Sequence, residues 1–469
     1  MPSIDWLPWH TAAFLEAQRR RRPVLLLLET AWSPACGRVR DEVFARPDVV
    51  AAVADTSVPV RVDADLRPDI GDRYGLGHWP SLLVLTPEGH VLTGGTHLHD
   101  DALAARIRDA ARAFASHDGA WPSAPRVGPP DSTRLDDNAA VLDAFAMAIH
   151  ATRDPRTGAC MHDGTPSAGA ALFALAQATA RGDADWASTA ADTIDALHDA
   201  APCLDDTGVV AFATDADGLA PVARLEDQAE WVRVMARAVG LEPLPAWSTQ
   251  LDRLVHGLRS AFRRDDGQWR PWTGGPRLVL VDASARACRA LLAAADALDR
   301  PDLAREAIEA LEVLAPVAYS RGSGVSHTIA DGHARGPVLL DDAMLLAHAL
   351  LDADAWRTDP VYRDLAEELV RTSLARLQEP AGAIRDRVAA LAGAGQVGRL
   401  ADAHHPITGN AAAARLLRRL FPDDAGHAAE ARRILAAVTP EALAAGAFGA
   451  PVGLAWHAFG PAGAVTAAW

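Results

Sequence analysis

The spacing of hydrophobic and polar positions changes once along the chain, and the change divides the chain into two regions. Up to residue 117, short apolar or alternating runs typical of β-strands lie between amphipathic helical patterns. From residue 135 onward, apolar residues recur at helical spacing, without convincing strand alternation. The pattern predicts an α/β domain over 1–117, a linker rich in Pro, Gly and Ser over 118–134, and an all-α domain over 135–469.

The first region contains enough alternating elements for one α/β domain of ordinary size. Two strands are predicted at 24–28 and 58–62, and a turn after Leu85 joins two further strands into a hairpin. A helix over 100–115 closes the region. The other predicted helices cover 10–21, the segment that follows Ser33, and 47–54.

A short turn after the first strand leads into Ser33-Pro34-Ala35-Cys36, which predicts the start of a helix. Ser33 is a favourable N-cap, and Pro34 suits the first helical position, where an amide N–H would have no partner within the helix. Cys36 then lies in the first turn, where backbone N–H groups and the helix dipole favour a thiolate. This is the layout of a thioredoxin-type redox site with serine in place of the first cysteine.

Three ordered segments resemble one known family. Residues 4–9 are similar to VDWYPW, residues 62–69 to VDREERPD, and residues 78–89 to the GWP…FLTPDG run of the YyaL-like, spermatogenesis-associated thioredoxin-domain family. The resemblance implies a thioredoxin-like α/β domain followed by an (α/α)6 toroid. It also implies that Pro80 is a cis-proline facing the active-site turn, and we expect Pro80 and Trp32 to border a ligand there.

The serine at position 33 changes the chemistry expected of this site. The family has C-x-x-C, so Cys36 falls on the resolving position and Ser33 on the attacking one. Dithiol exchange needs an attacking thiolate and a second thiol, so ordinary oxidoreductase turnover should be lost. Two interpretations stay open. Ser33 is a helix cap and Cys36 a buried, apolar-like residue, or Cys36 acts as a monothiol through glutathionylation or sulfenate chemistry.

In the second region, small or acidic residues precede Ala-rich helical segments at intervals of roughly 60 residues, a step that fits one helical hairpin with its loop. About six such hairpins would close a ring whose inner helices begin at one mouth, and a straight solenoid is the alternative. The family resemblance, which extends to 340–343 and 408–411, favours the ring. The repeat positions are Ser167, Asp227, Asp282, Asp342 and Asn410.

If the inner helices begin at one mouth, the last four of these positions converge there as candidate ligand-binding residues. Paired carboxylates suit general acid–base work on sugars. Histidines in nearby loops, above all His405 but also His327, His333 and His404, add candidate bases. Trp231, Trp269 and Trp272 could stack on sugar rings. The alternative is that the Asp and Asn residues are helix caps and the tryptophans are core packing.

The composition of the chain limits the classes of partner that it can bind. Net charge is −16, from 61 acidic and 45 basic residues, which argues against nucleic acid and anionic membranes. The basic patch Arg415, Arg418 and Arg419 is interpreted as a solvated helix face. The four cysteines are far apart and show no zinc or C-x-x-C spacing, so we expect no metal and no cofactor. Without a signal pattern or an apolar run of about 20 residues, the expected compartment is the cytoplasm.

Three functional hypotheses follow. The first is a non-catalytic binding or scaffold protein with a degenerate S-x-x-C site. The second is a sugar-active toroid, either glycosidase-like or epimerase-like. The third is monothiol redox chemistry through Cys36. The expected partner is a small carbohydrate or another protein, and the sequence leaves the oligomeric state open.

Overall fold

A computed structural model describes residues 3–117, 137–199, 207–211, 222–388 and 397–460. The predicted linker, 118–134, lies outside the described residues. The chain folds into two compact units. Within the described residues, the first unit comprises 3–117, 387–388 and 397–404, and the second comprises the remainder.

The first unit is a four-stranded sheet with helices on both faces. The strand order is β2-β1-β3-β4, with β1 parallel to β2 and antiparallel to β3, and with β3 and β4 forming a hairpin. This is the predicted thioredoxin-like arrangement. In chain order the elements are α1 (Thr11–Arg20), β1 (Val24–Glu29), α2 (Pro34–Arg38), a π-helical turn (Val39–Val43), α3 (Pro47–Thr56), β2 (Val58–Asp63), α4 (Pro68–Tyr74), β3 (Ser81–Leu85), β4 (Val91–Gly95) and α5 (Leu103–Ser116).

The central strand β1 is buried along its whole length because both of its faces are covered. Leu26 and Leu28 point into one hydrophobic core, and Leu25 and Leu27 point into the other. A continuous apolar run is the pattern expected of a strand that is buried on both faces. The strand therefore holds the Ser33 turn, which follows its last residue, on a rigid support.

Residues 397–404 fold with the first unit, which the sequence analysis did not predict. Leu400 is buried in one of the two cores, and the backbone N–H of Arg399 donates to the Tyr74 hydroxyl at 2.9 Å. Gly398 has φ +57°, and a Cβ there would collide with the carbonyl oxygen of Gly89. Only glycine fits that approach without strain.

The second unit is built of helical hairpins. Its helices, in chain order, are α6 (Asn138–His150), α7 (Ala168–Arg181), α8 (Ala184–Asp199), α9 (Leu225–Leu241), α10 (Pro245–Phe262), α11 (Val281–Leu298), α12 (Pro301–Ala318), α13 (Leu340–Trp356), α14 (Pro360–Leu377), α15 (Ile407–Leu420), α16 (Ala425–Ala444) and α17 (Ala450–His457).

Six of these helices form a closed inner ring. Each packs on the next in the order α7, α9, α11, α13, α15 and α17, and α17 packs back on α7. The outer partners are α8, α10, α12, α14, α16 and α6. Closure confirms the (α/α)6 toroid over the straight solenoid. Because inner and outer helices alternate along the chain, all inner helices run in one direction and begin at the same mouth.

The loops at this mouth contain short strands, which corrects the expectation of a purely helical second region. Strand β9 pairs with β10, β7 and β8, while β5 and β6 form a separate pair. The alternation in β9 was hidden because Ser326, His327 and Thr328 interrupt its apolar positions. The strands are β5 (Met161–His162), β6 (Thr165–Pro166), β7 (Leu278–Leu280), β8 (Tyr319–Ser320), β9 (Gly324–Ala330) and β10 (His333–Val338).

Among the described helices, none combines the length and the apolar character needed to cross a lipid bilayer.

Candidate functional site

The start of α2 has the geometry expected of a capped helix. The Ser33 hydroxyl accepts a hydrogen bond from the backbone N–H of Cys36 at 3.4 Å, and Pro34 occupies the first helical position. The Cys36 Sγ atom accepts from the backbone N–H of Thr30 at 3.5 Å. Both polar side chains at this turn are therefore engaged with local backbone groups.

The thiol of Cys36 is shielded from solvent. Cys36 is only 1% exposed, and this burial raises the pKa of its thiol, although hydrogen bonds from Thr30 and Ser33 act in the opposite direction. The buried Glu29 carboxylate raises it further. A thiolate at the helix N-terminus, which the sequence favours, is thus outweighed by desolvation.

The other two residues predicted for this site lie on neighbouring segments. The Trp79–Pro80 peptide bond is cis. The register pairs Leu28 of β1 with Ser81 of β3, so Pro80 adjoins the end of β1 from which the Ser33 turn departs. The Trp32 indole N–H donates to Asp65 at 3.1 Å, which orients the ring.

At the ring mouth, the structure brings Asp282 and Asp342 together with His327. Asp282 is the second residue of α11 and Asp342 the third of α13, so both lie in first helical turns and are not N-caps. The backbone N–H of Asp282 donates to Asp342 Oδ1 at 3.0 Å. His327 Nδ1, on β9, lies 3.0 Å from both Asp342 oxygens and 3.9 Å from Asp282 Oδ1.

Burial governs the chemistry of this group. Asp342 is fully buried, which raises the pKa of its carboxyl, while His327 lowers it. The ligand atoms of Asp282, His327 and Asp342 lie within 4.8 Å of one another, so these three residues could hold a metal ion. The 3.0 Å contacts are hydrogen-bond distances, and they fix the orientation of the imidazole.

The three remaining predicted residues have local partners. Asp227 pairs with Arg224 at 2.7 Å. The amide of Asn410 is buried and bonds to the backbone N–H and C=O of Ile384 at 2.8 and 2.9 Å, which ties α15 to the preceding loop. His405 Nε2 lies 2.8 Å from Glu379 Oε2. In the described parts of the chain, no hydrogen bond or ion pair joins these residues to the Asp282 group.

Glu226 is a carboxyl group at the mouth that the sequence analysis missed. It is the second residue of α9, as Asp282 is of the adjacent α11. Arg224 Nη1 lies 2.7 Å from Glu226 Oε1 and lowers the pKa of Glu226, although 41% of the Glu226 side chain is exposed. Desolvation and the nearby Asp227 and Asp282 carboxylates outweigh this effect, so the pKa is raised. Asp282 Oδ1 is buried without a hydrogen-bond partner among the described residues. The sequence analysis selected the neighbouring Asp227 instead, because Asp227 is the position that recurs in the repeat.

Inside the ring, ion pairs connect four consecutive inner helices. Glu230 of α9 contacts Arg286 of α11 at 2.7 Å. Arg289 of α11 contacts Asp352 of α13 at 2.7 Å, and Asp352 also contacts Arg419 of α15 at 2.8 Å. The interpretation of Arg419 as part of a solvated helix face is therefore wrong. The sequence indicates this line of inward-facing charges, because they recur three and four residues apart within otherwise apolar helices.

The tryptophans proposed as sugar platforms are core residues. Trp231 and Trp269 are each 1% exposed, and Trp272 is 6% exposed. Trp269 also lies under the guanidinium of Arg263, 4.7 Å from the ring centroid. Their faces are covered by protein, so they pack the ring and its loops.

Comparison with known proteins matches the two units to different groups. Residues 1–117 match the family Thioredox_DsbH, described as a protein of unknown function, DUF255. An uncharacterized protein of Caenorhabditis elegans, B0495.5, is 32% identical over 106 residues, which are 21% of this chain and 14% of that protein. Human spermatogenesis-associated protein 20 is 28% identical over 102 residues, covering 20% of this chain and 13% of that protein. The matched stretch is thus a small part of these relatives.

Solved structures resemble a larger part of the chain. D-mannose isomerase aligns with a TM-score of 0.53 and 14% identity, over 66% of this chain and 88% of that one. Cellobiose 2-epimerase from Bacillus thermoamylovorans aligns with a TM-score of 0.53 and 9% identity, over 64% and 85%. At these identities the likeness establishes the toroid fold alone.

Proposed function

We propose two functional assignments on the premise that the chain belongs, through residues 1–117, to the DUF255 thioredoxin-domain family of spermatogenesis-associated protein 20. The thioredoxin-like unit performs no dithiol exchange, and the toroid binds and acts on a sugar. The carbohydrate proposal is carried by one observation. Two carboxyl groups, Glu226 and Asp282, begin adjacent inner helices at the same mouth.

The absence of dithiol exchange rests on the Ser33 turn. A hydroxyl replaces the attacking sulfur and accepts a bond from the helix backbone. Cys36, the remaining thiol, is buried and carries a raised pKa because of that burial. Thiol exchange proceeds through the thiolate, so both halves of the cycle are suppressed. The same two facts disfavour the monothiol hypothesis.

Reduction of insulin disulfides tests this half of the proposal. The native chain should show no turnover above background. Ser33→Cys restores a C-x-x-C pair and should form a disulfide and gain measurable turnover, whereas Ser33→Ala, the control, should gain none. Turnover by the native chain at the rate of an ordinary thioredoxin would overturn the proposal.

Labelling with a thiol reagent tests the monothiol alternative. Cys203 lies outside the described residues, so the experiment is done in a Cys203→Ser background. Cys36, Cys160 and Cys288 are all buried and should react only after unfolding. Rapid labelling of Cys36 in the folded protein would restore the monothiol hypothesis.

The sugar proposal rests on the two mouth carboxyls and their unequal surroundings. The pKa of Glu226 is raised despite its ion pair with Arg224, which favours a carboxyl that holds a proton. Asp282 Oδ1, which has no hydrogen-bond partner among the described residues and lies 3.9 Å from His327 Nδ1, offers an acceptor. A proton donor beside a proton acceptor is the arrangement that general acid–base catalysis needs. The sugar isomerase and epimerase that share this fold support a reducing sugar as the substrate. His327 and Asp342 would then act as positioning residues because they are almost fully buried.

Deuterium exchange tests the sugar proposal directly. Reducing monosaccharides are incubated with the full chain in D2O, and hydrogen loss at C2 is followed by NMR. Glu226→Gln and Asp282→Asn should each lower the exchange rate at least about 100-fold, the usual contribution of a positioned acid or base. Asp302→Asn, at an exposed position on α12, is the matched control.

If no sugar exchanges and none binds in a calorimetric screen, the sugar proposal fails. If exchange occurs but the two variants keep it, the carboxyl assignment fails while sugar binding by the toroid stands.

A further inference from the structure

The inner helices carry charged residues on the face that points into the ring. In α9 these are Glu226, Glu230, Arg233 and Arg237, spaced four, three and four residues apart. This spacing keeps them on one side of a helix. At a rise of about 1.5 Å per residue, Arg233 lies about 10 Å deeper than Glu226.

The same depth is occupied by a base on three other inner helices. Arg233 is the ninth residue of α9, Arg289 of α11, His348 of α13 and Arg415 of α15. Arg289 and Arg415 both lower the pKa of His348, after burial as the main cause, so the imidazole is neutral. These four residues are named the arginine belt.

The charges around the belt do not balance. Among the described residues, Arg233, Arg286, Arg289, Arg415 and Arg419 supply five guanidinium groups, and Glu230 and Asp352 are the carboxylates that pair with them directly. Asp282 and Glu226, nearer the mouth, also act on Arg286, so five positive groups face four carboxylates. Guanidinium groups keep their protons under all ordinary conditions, so an imbalance cannot be relieved by titration. An excess of buried positive charge calls for an anion.

Arg415 locates the excess at the centre of the ring. Its Nη2 atom is buried and has no hydrogen-bond partner in the described ranges. Burial, Arg289, Arg233 and Arg419 lower its pKa, and Asp352 acts in the opposite direction. Arg233 stands on α9, three places away from α15 in a ring of six, so the two side chains approach each other only across the lumen.

We propose that the arginine belt, with Arg286 and Arg419, binds a small molecule bearing a dianionic phosphate-type group in the lumen of the toroid. Planar guanidinium groups bond phosphate oxygens in pairs, and several of them converge here from different helices. The site is not sealed: Arg233 retains 13% and Arg419 19% of side-chain exposure. The proposal goes beyond the mouth carboxyls and does not require them to do chemistry.

Thermal unfolding of the full chain at constant ionic strength tests the proposal, with inorganic phosphate and glucose 6-phosphate as probes. A ligand that binds only the folded state raises Tm with saturation. Wild type should show this for at least one probe. Arg415→Met, which keeps side-chain length but removes the charge, should weaken the apparent affinity about tenfold or more. It should fold, because it removes a buried charge surrounded by like charges.

Arg305→Met is the matched control, an exposed arginine on the outer helix α12, and it should bind like wild type. Inorganic phosphate contains no sugar, so a saturable shift with this probe supports the inference independently of the sugar proposal. Absence of a saturable shift with both probes, or equal shifts in wild type and Arg415→Met, would overturn the inference.

Discussion

The two units differ in the ionisable groups that they bury. The thioredoxin-like unit buries acids, among them Glu29, Asp63 and the Cys36 thiol, and burial raises the pKa of each. The toroid buries acids such as Asp342 as well, but it also buries bases, and burial lowers the pKa of Arg415 and His457. An acid in the first unit can become neutral by taking up a proton, whereas a guanidinium in the second needs a counter-ion. The difference favours the toroid as the unit that binds a charged ligand.

Of the changes that test this difference, removing a buried carboxylate from the toroid should have the largest effect on stability. Asp352→Asn leaves Arg289 and Arg419 without their shared carboxylate, and loss of one partner of a buried pair costs about 3–5 kcal/mol. Hydrogen exchange read by mass spectrometry should show the loss in the toroid helices and leave β1 and β3 unchanged. Asp302→Asn, in an exposed pair, should change the stability of the toroid far less, because solvent screens surface charges. A comparable loss in both variants would mean that interior charges matter no more than surface ones.

Acid should weaken the toroid through His457. Burial lowers the pKa of this histidine to about 4 from 6.5, so between these values the unfolded state takes up a proton that the folded state does not. Stability of the toroid should therefore fall by roughly 3 kcal/mol from pH 7 to pH 4 on this account. His457→Leu should lose that much less over the same range, measured by denaturant unfolding. The exposed His256→Leu on α10 should behave like wild type; equal acid sensitivity in both variants would contradict the assignment.

Acid should strengthen the thioredoxin-like unit through Asp63, the smallest of the three effects. Burial raises the pKa of Asp63 to about 6 from 3.8, so the folded state holds the extra proton; the stabilisation is full below pH 4 and is lost as pH rises through 6. Asp63→Asn should stabilise this unit at pH 7 by about 1–2 kcal/mol, less than the full shift implies because the carboxyl is partly exposed. Little change is expected at pH 4. Asp41→Asn, at a side chain that is 79% exposed, is the control, and hydrogen exchange at β1 is the readout.

The fold could be predicted from the sequence where pattern and local chemistry agree. The apolar run of β1, the Ser33 cap and the repeat of helix starts predicted the two folds and the direction of the inner helices. Strand β9 escaped because its buried positions include His327 and Thr328, which contact polar groups that the sequence does not reveal. Residues 397–404 escaped because a tertiary contact with Tyr74, distant in sequence, determines where they pack.

The site was predicted in position more than in detail. Asp282 and Asp342 do meet, since a repeat in a closed ring places equivalent residues at one mouth. Asp227 was chosen over Glu226, although one residue rotates a side chain by about 100° around a helix. Arg415 and Arg419 were taken for surface residues because a polar stripe on an amphipathic helix usually faces bulk solvent. In a ring, the inward face is polar too.

Because α17 packs on α6 and α7, the ring can close only after α17 has been synthesised. Residues 450–457 supply the last inner helix, and they contact the first hairpins of the ring, which are synthesised some 300 residues earlier. During translation the growing ring therefore keeps an open seam, with apolar surfaces of α7 uncovered until its final segment emerges from the ribosome. A nonsense codon near 445 should thus yield an aggregating product recognised by chaperones, while the amino-terminal unit could already have folded.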